Sequence, residues 1–526
     1  MYAETALDWL LLVPLAASPV VYLVGRICVR VSSSRSGGSV AAPDCRAVIP
    51  ARWMSLAVLL LTCVPLAIAG QSVLANGPLS GLIGGIPLRM DGISLLLAGT
   101  AVLLGILVLI FSMPYMAGEE GEEKYYALFP LMVGSIVGLG CANDLFNLWV
   151  WFETMAISSY LLVAFYTHER GALEAGVKYL VQSAVGSVFV LMAIAIILSQ
   201  TGTLQLDKIA GWTGEVNTFF LAAGSLFLIG FGVKTAIVPM HTWLPDAHSQ
   251  APSGISAMLS GVVIEAGLVA LLRALGCIPG SMPVWGGLLL GFGALNMLVG
   301  NLMALRQTQV KRLLAYSRLS HIGYMLLGFG AAAIFHSPDA AAGSFFHLFT
   351  HAMMKGLAFL SAGLLLYTLH LARGAHLPLT VDDLNGASRR YPLATFGLSI
   401  AVLALGGLPP LAGFMSKWQI FVGSAETHSL PVILLVVFAA LNSVLSLGYY
   451  APLVNRMYRR EPSAVVSAGK PAPLGMTLPL VLLMAVVVVL GFWPAAVQIV
   501  TSPAAANLLA MFGGPEVAGL PGLLGW

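Results

Sequence analysis

The sequence predicts an all-α, polytopic membrane protein of about fourteen transmembrane helices, with the seventh and twelfth broken. Three observations carry this reading. The 526 residues are 58% hydrophobic and only 9% charged, with a mean hydropathy of +0.91, a balance foreign to soluble globular chains of this size. Apolar stretches of the roughly 20 residues needed to cross a bilayer recur along the whole chain. Charges gather in the short segments between those stretches, apart from a few that fall in mid-stretch.

In order, the candidate helices cover roughly 7–30, 53–75, 91–112, 126–142, 145–167, 176–200, 217–240, 252–275, 284–305, 312–334, 343–370, 392–424, 429–457 and 475–500. The opening MYAETALDWLLL has neither a basic leader nor a cleavage site and reads as a retained first helix rather than a signal peptide. The seventh stretch contains Pro239. The twelfth contains Gly406, Gly407, Pro409 and Pro410, and is long enough for two half-helices. The Ser/Gly-rich segment 31–52 reads as flexible, and the Gly/Pro-rich tail beyond Ser502, charged only at Glu516, is expected at the membrane interface. The loops are too short for a soluble catalytic domain.

Loop charges orient the chain. With the N-terminus outside, nineteen of the 25 Lys and Arg residues flank loops that face the cytoplasm, Arg306, Lys311, Arg312 and Arg318 being counted with the ninth loop. Arg89, Lys208 and Arg273 fall on the other side, and Lys234, Lys355 and Lys417 lie within helices. The positive-inside rule then predicts both termini outside the cytoplasm and a place in the inner (cytoplasmic) membrane. A net charge of +3 is too small to argue for nucleic acid.

Cys28, Cys45, Cys63, Cys141 and Cys277 are scattered without metal-ligand or iron–sulfur spacing and read as small apolar residues. The acidic run Glu119, Glu120, Glu122 and Glu123 reads as a solvated face rather than a metal site. No dinucleotide, phosphate-loop, haem or flavin motif is present, so neither cofactor nor metal is expected, and redox chemistry is not expected in this chain.

The chemistry lies in the isolated charges. Lys234 is the only charge between Glu215 and Asp246, Glu265 the only one between Asp246 and Arg273, and Lys417 the only one between Arg390 and Glu426. A charge at mid-helix in lipid costs roughly 2.5–3.5 kcal/mol, so an isolated one points to a use. Proline in a membrane helix frees carbonyls, which is tolerated where they line a cavity. Two interrupted stretches, each with one buried lysine, are the pattern of a transporter built from repeated halves.

Glu153 stands alone between Asp144 and Glu169. It is either a structural ion-pair partner or a carboxylate that switches Lys234 between charged and neutral, since burial and an opposite charge push a lysine in opposite directions. A partner lowers the penalty of burying each charge, so the two are expected within pairing reach. Asp144 is placed to cap its helix. His347, His351 and Lys355 recur every four residues and share one helix face. Each histidine alone reads equally well as a satisfied core residue, but three titratable groups on one face favour a hydrated proton path, with His321 extending it. His347 and His351 have the spacing of a metal pair, yet no third ligand is near in sequence. His241 and His248 are placed at the mouth of the path or in loop hydrogen bonds.

The stretches NDLFNLWVWFE, VKTAIVPMHTWLPDAHSQAPSGISAMLSG, QTQVKRLLAYSRLSHIGY, HLFTHAMMKGLAFL and LGGLPPLAGFMSKW resemble the antiporter-like membrane subunits shared by respiratory complex I, Mrp-type cation/proton antiporters and membrane-bound hydrogenases, over roughly 90–505. The resemblance implies two inverted five-helix repeats and a proton path at mid-membrane. In that path Glu153 and Lys234 are the modulating pair, His321, His347 and His351 the central relay, and Lys417 the terminal group. It divides the chain into helices 1–3 (1–112), a first repeat (113–280), a second repeat (281–457) and a last helix with tail (458–526). It also implies sister membrane subunits, separate redox subunits that carry the electron chemistry, and the lipid bilayer as partners. Two departures stand out: Glu265 occupies a place where many members carry a lysine or histidine, and Gln309 one where relatives often carry an acid. The function expected is redox-driven proton translocation as a non-catalytic subunit. The alternatives are a sodium/proton antiporter subunit without a redox partner and a scaffold whose buried charges only pack subunits together.

Overall fold

A computed structural model of the chain describes residues 2–35, 48–214, 217–280, 282–373 and 378–513. Most of segment 31–52, with Cys45 and Arg46, lies outside the described residues, as do Glu215 and the tail carrying Glu516. Among the described residues, twelve helices are long and apolar enough to cross a membrane. Leu145–Val163, whose apolar run is broken by Glu153, and the broken pair Pro392–Gly406 and Ala412–Ala425 bring the crossings to the fourteen read from the sequence.

Burial ranks the helices. The segments Ser253–Gly276, Val310–Phe335 and Pro338–Leu369 are enclosed at 100%, 89% and 94% of their apolar windows, and form the centre. Arg170–Thr201 and Leu430–Arg459 are enclosed at only 39% and 28% and lie at the rim. Their outward rows, Val177, Val181, Val185 and Val188 on one and Leu434, Val437, Leu441 and Val444 on the other, are exposed apolar surface suited to lipid or a neighbouring subunit. An isolated charge on the enclosed helices therefore faces protein, not lipid.

The seventh crossing breaks after Thr218–Thr235, at Ala236, and resumes as Trp243–Gln250. The freed groups find side chains. Trp243 Nε1 donates to the Val233 carbonyl at 2.8 Å, and Asn296 Oδ1 accepts from Val238 N at 2.8 Å. The twelfth breaks at Gly407, whose φ of +80° an L side chain would resist. The eighth is continuous but contains one π turn, Leu259–Val263, immediately before Ile264–Gly276; such turns widen a helix locally and gather at functional sites.

Two features depart from the sequence reading. A β-hairpin, Leu79–Ile83 with Ile86–Met90, joins the second and third helices. Its signal was the Gly84–Gly85 pair, both at positive φ as a two-residue hairpin turn requires, between alternating apolar residues. The C-terminal segment beyond Ser502 is not loose interfacial chain through its described part. Leu474–Phe492 bends at Pro494 and continues as Ala495–Met511. This bent pair runs antiparallel to Gly92–Tyr115: Gly475 packs at Pro114, and Asn507 Oδ1 accepts from Gly92 N at 2.8 Å.

Met282–Leu305 and Val310–Phe335 pack backbone to backbone. Gly286, Gly293 and Gly300 recur at seven-residue spacing and meet Gly330, Gly323 and the Tyr316–Ser320 backbone, small residues allowing backbones to approach as membrane packing favours. A Cβ on Gly323 would sit 2.5 Å from the Gly293 carbonyl oxygen. Gly323→Val is expected to destabilise the chain by about 1–3 kcal/mol, the range of overpacked cores, measured as a lower thermal transition in detergent. An unchanged transition would show that this contact tolerates separation.

Candidate functional site: a buried row of charged side chains

Lys234 ends the first half of the broken seventh helix and is 1% exposed. Its ammonium donates to the Tyr179 hydroxyl and to Ser159 Oγ at 3.3 Å, and stands 4.5 Å from the centre of the Tyr179 ring. Tyr179 stacks flat on Trp243 at 4.0 Å, so one aromatic wall holds both the lysine and the restart of the helix. Glu153 lies within electrostatic range of Lys234 but forms no direct ion pair with it, and its Oε1 is buried without a hydrogen-bond partner. The hydroxyls of Tyr179 and Ser159, rather than Glu153, take the hydrogen bonds of the lysine. Asp144 caps the same helix, accepting from Asn147 N at 2.7 Å, and burial pushes its carboxyl above the usual range against its backbone donors.

The stem of Lys234 lies against Gly267, where a Cβ would come 3.1 Å from Lys234 Cγ. Two residues earlier on that helix is Glu265, wholly buried. Glu265 Oε1 is 2.8 Å from His351 Nδ1 and 3.7 Å from Arg318 Nη2. His321 Nδ1 is 3.0 Å from His347 Nε2, and His347 Nδ1 is 2.8 Å from Ser416 Oγ. The rings of His321 and His351 are 4.8 Å apart. Ser416 adjoins Lys417 on the second half of the broken twelfth helix. Lys417 reaches back to the carbonyl end of the first half, donating to Leu405 O at 2.8 Å and Ser443 Oγ at 2.8 Å, with its ammonium 4.6 Å from the Tyr324 ring centre. A cation at a helix C-terminus meets unsatisfied carbonyls and the negative end of the dipole.

Lys355 shares the helix of His347 and His351 but turns aside, donating to Leu314 O at 2.8 Å and Ser317 Oγ at 2.5 Å. Of the eight predicted site residues, the structure brings Glu265, His321, His347 and His351 together. Lys417 sits one serine beyond, Lys355 lies on a side branch, and Glu153 and Lys234 form a separate cluster joined to Glu265 by packing alone.

Three placements correct the sequence reading. Arg318 is not a loop charge: it lies more than two turns inside Val310–Phe335, wholly buried beside Glu265. Lys311, in the first turn of the same helix, adjoins the loop as read but is buried rather than solvated, and donates to Ala251 O at 2.6 Å. His248 is at neither a surface mouth nor in a loop hydrogen bond; it is fully buried, stacks on Phe359 at 4.9 Å, and neither ring nitrogen has a partner. Tyr179, Ser159, Ser416 and Ser443 escaped notice because hydroxyls carry no charge signal. Arg318 had one, an arginine three residues before His321 on the same helix face. No group of three His, Cys, Asp or Glu suited to a metal is present among the described residues.

Protonatable side chains threaded through enclosed helices, with a lysine beside each of two helix breaks, define an antiporter-like membrane subunit. The family described as "NADH:quinone oxidoreductase/Mrp antiporter, TM" matches residues 142–444, and "NADH-Ubiquinone oxidoreductase (complex I), chain 5 N-terminus" matches 81–126. F(420)H(2) dehydrogenase subunit N of Methanosarcina mazei is 32% identical over 416 residues, 77% of this chain and 82% of the relative. NADH-quinone oxidoreductase subunit N of Chloroflexus aggregans is 33% identical over 448 residues, 82% and 88% of the two chains. A chain of the membrane-bound sulfane sulfur reductase, an archaeal respiratory membrane complex, superposes with a TM-score of 0.83 at 27% identity, covering 96% of this chain and 98% of that one. The chain belongs to the NADH:quinone oxidoreductase/Mrp antiporter transmembrane family.

Proposed function

We propose that this chain is a proton-translocating subunit of a redox-driven membrane complex, that protons move along the row from Lys234 to Lys417, and that electron transfer is carried out by partner subunits. The observation that carries the reading is the buried run His351–Glu265, His321–His347–Ser416 and then Lys417, where the twelfth helix opens. Histidines titrate near neutrality and can pass protons. Lys417, beside the break of the twelfth helix, meets a freed carbonyl, and such carbonyls are tolerated in a membrane where they line a cavity or meet water. Glu153 modulates the charge of Lys234 through space rather than by a direct bond, and Lys355 biases the histidines from its branch. The proposal includes the sequence-based topology, with both termini outside the cytoplasm and the repeats 113–280 and 281–457.

The test isolates the tagged full chain with its complex from native membranes. Co-purifying electron-transfer subunits, and proton uptake into vesicles that follows electron donor addition, are expected. Lys234→Ala should leave the complex assembled and lower proton uptake by about a hundredfold, the scale of a positioned acid–base group. Uptake that persists unchanged would favour a scaffold. A complex without redox subunits that exchanges sodium for protons would favour the antiporter.

A further inference from the structure

Arg318 has no place in the relay just described, yet it is the most deeply buried arginine among the described residues. It reaches the eighth crossing at two points: Nη1 donates to Ser260 Oγ at 3.3 Å, and Nη2 lies 3.7 Å from Glu265 Oε1. Ser260 is in the π turn and Glu265 lies just beyond it. In an α-helix, positions five apart are about 140° apart around the axis. A turn closed by i→i+5 bonds brings them towards one face. The π turn is therefore what lets one guanidinium address both.

The junction is short of protein partners. Glu265 Oε2, Arg318 Nε and Nη2, and His351 Nε2 are all buried without a hydrogen-bond partner. Buried polar atoms seldom go unpaired, and four at one point mark a place where bonds are exchanged rather than fixed. Glu265 Oε1 faces two rivals, one a ring that gains and loses protons, the other a group charged at all working pH.

We propose that Arg318 is the permanent cation at the midpoint of the row, keeping Glu265 charged so that the carboxylate can hold and release the His351 ring as protons pass. The assignment rests on the proposed function. In the loaded state His351 is an imidazolium whose Nδ1–H donates to Glu265. When the N–H bond at His351 Nε2 breaks and a new one forms on His321, His351 is neutral, and the charge of Glu265 is balanced by Arg318 alone. No electrons move. Arg318 is a positioning residue, since it acts through Glu265. Other titratable groups on helices packed around Glu265 include Lys234 across Gly267, His321 and Tyr324 on the helix of Arg318, and His347 and Lys355 on the helix of His351. Helix 145–163 adds Glu153 and Tyr160, helix 122–141 adds Glu122, Glu123, Lys124, Tyr125, Tyr126 and Cys141, helix 206–210 adds Asp207 and Lys208, and Met282–Leu305 adds none.

The test uses the full complex in native vesicles, with Arg318→Ser, Arg318→Lys and the charge exchange Glu265→Arg with Arg318→Glu, which keeps one carboxylate and one cation at the junction. Proton uptake is read against pH, and the protonation of Glu265 by its infrared carboxyl band, identified as the band lost in Glu265→Gln. Arg318→Ser should lose about tenfold in uptake, within the range of coupling between buried sites, with an altered pH profile and a new protonated-carboxyl band. Arg318→Lys should retain most uptake, and the exchange should recover it in part. Wild-type uptake and no new band in Arg318→Ser would overturn the assignment. If Arg318→Ser fails to accumulate, the exchange decides: recovery of chain and uptake supports the assignment, while recovery of chain alone, or of neither, overturns it. Vesicles in which the wild type moves no protons would defeat the proposed function, and the infrared band would still decide the charge of Glu265.

Discussion

Lys417→Ala is expected to lower proton uptake by about a hundredfold, the scale of losing a positioned proton-transfer group, while the chain still accumulates. Two effects combine. The last titratable group before the open part of the twelfth helix disappears, and the Leu405 carbonyl loses its donor at 2.8 Å. Lys417→Arg separates them. Arginine keeps a cation by the broken helix but does not release a proton at working pH, so uptake should stay as low as in the alanine variant while thermal stability returns. Uptake restored by arginine would mean that Lys417 serves only to satisfy the helix end. Vesicle uptake paired with a detergent melting curve measures both.

Arg273→Met should be the most destabilising single change outside the row, by about 3–5 kcal/mol, because it leaves an uncompensated buried charge. Arg273 Nη2 contacts Asp91 Oδ1 at 2.8 Å, Ser94 Oγ at 3.0 Å and Gly140 O at 2.9 Å, and both charged side chains are 3% exposed. Asp91 also caps Gly92–Tyr115 through Ser94. Adding Asp91→Asn keeps a capping side chain and removes the orphaned charge, so the double variant should regain much of the loss. A double variant no better than the single would show that the arginine's bonds to Ser94 and Gly140 matter more than its pairing with Asp91.

Crossings were legible because membrane insertion demands long apolar runs, and the two breaks because proline and glycine stand inside such runs. The row's charged members were legible for the same reason: an isolated charge is conspicuous where lipid would penalise it. Arg318 was misplaced because loop counting treats a charge near a helix start as surface, whereas eight residues of helix carry it about 12 Å inward. The serines and tyrosines were hidden because hydroxyls are common in membrane helices for local reasons, such as Thr100 bonding the Leu96 carbonyl. The contact of Glu265 with His351 joins residues 86 apart, a separation that no helical periodicity encodes.

The glycine-lined contact between Met282–Leu305 and Val310–Phe335 has a mechanical consequence. Backbones that meet without intervening side chains leave no room for a ratchet of one helix past the other, so this pair behaves as a stator. Arg318 and His321 are mounted on it. Glu265 is mounted opposite, just past a turn wound differently from the rest of its helix, and such a turn is the natural place for the junction to give. Relative motion at the junction is therefore expected in the eighth crossing rather than in the glycine-lined pair. A cross-link that pins Met282–Leu305 to Val310–Phe335 should leave uptake intact, and one that pins the π turn should stall it.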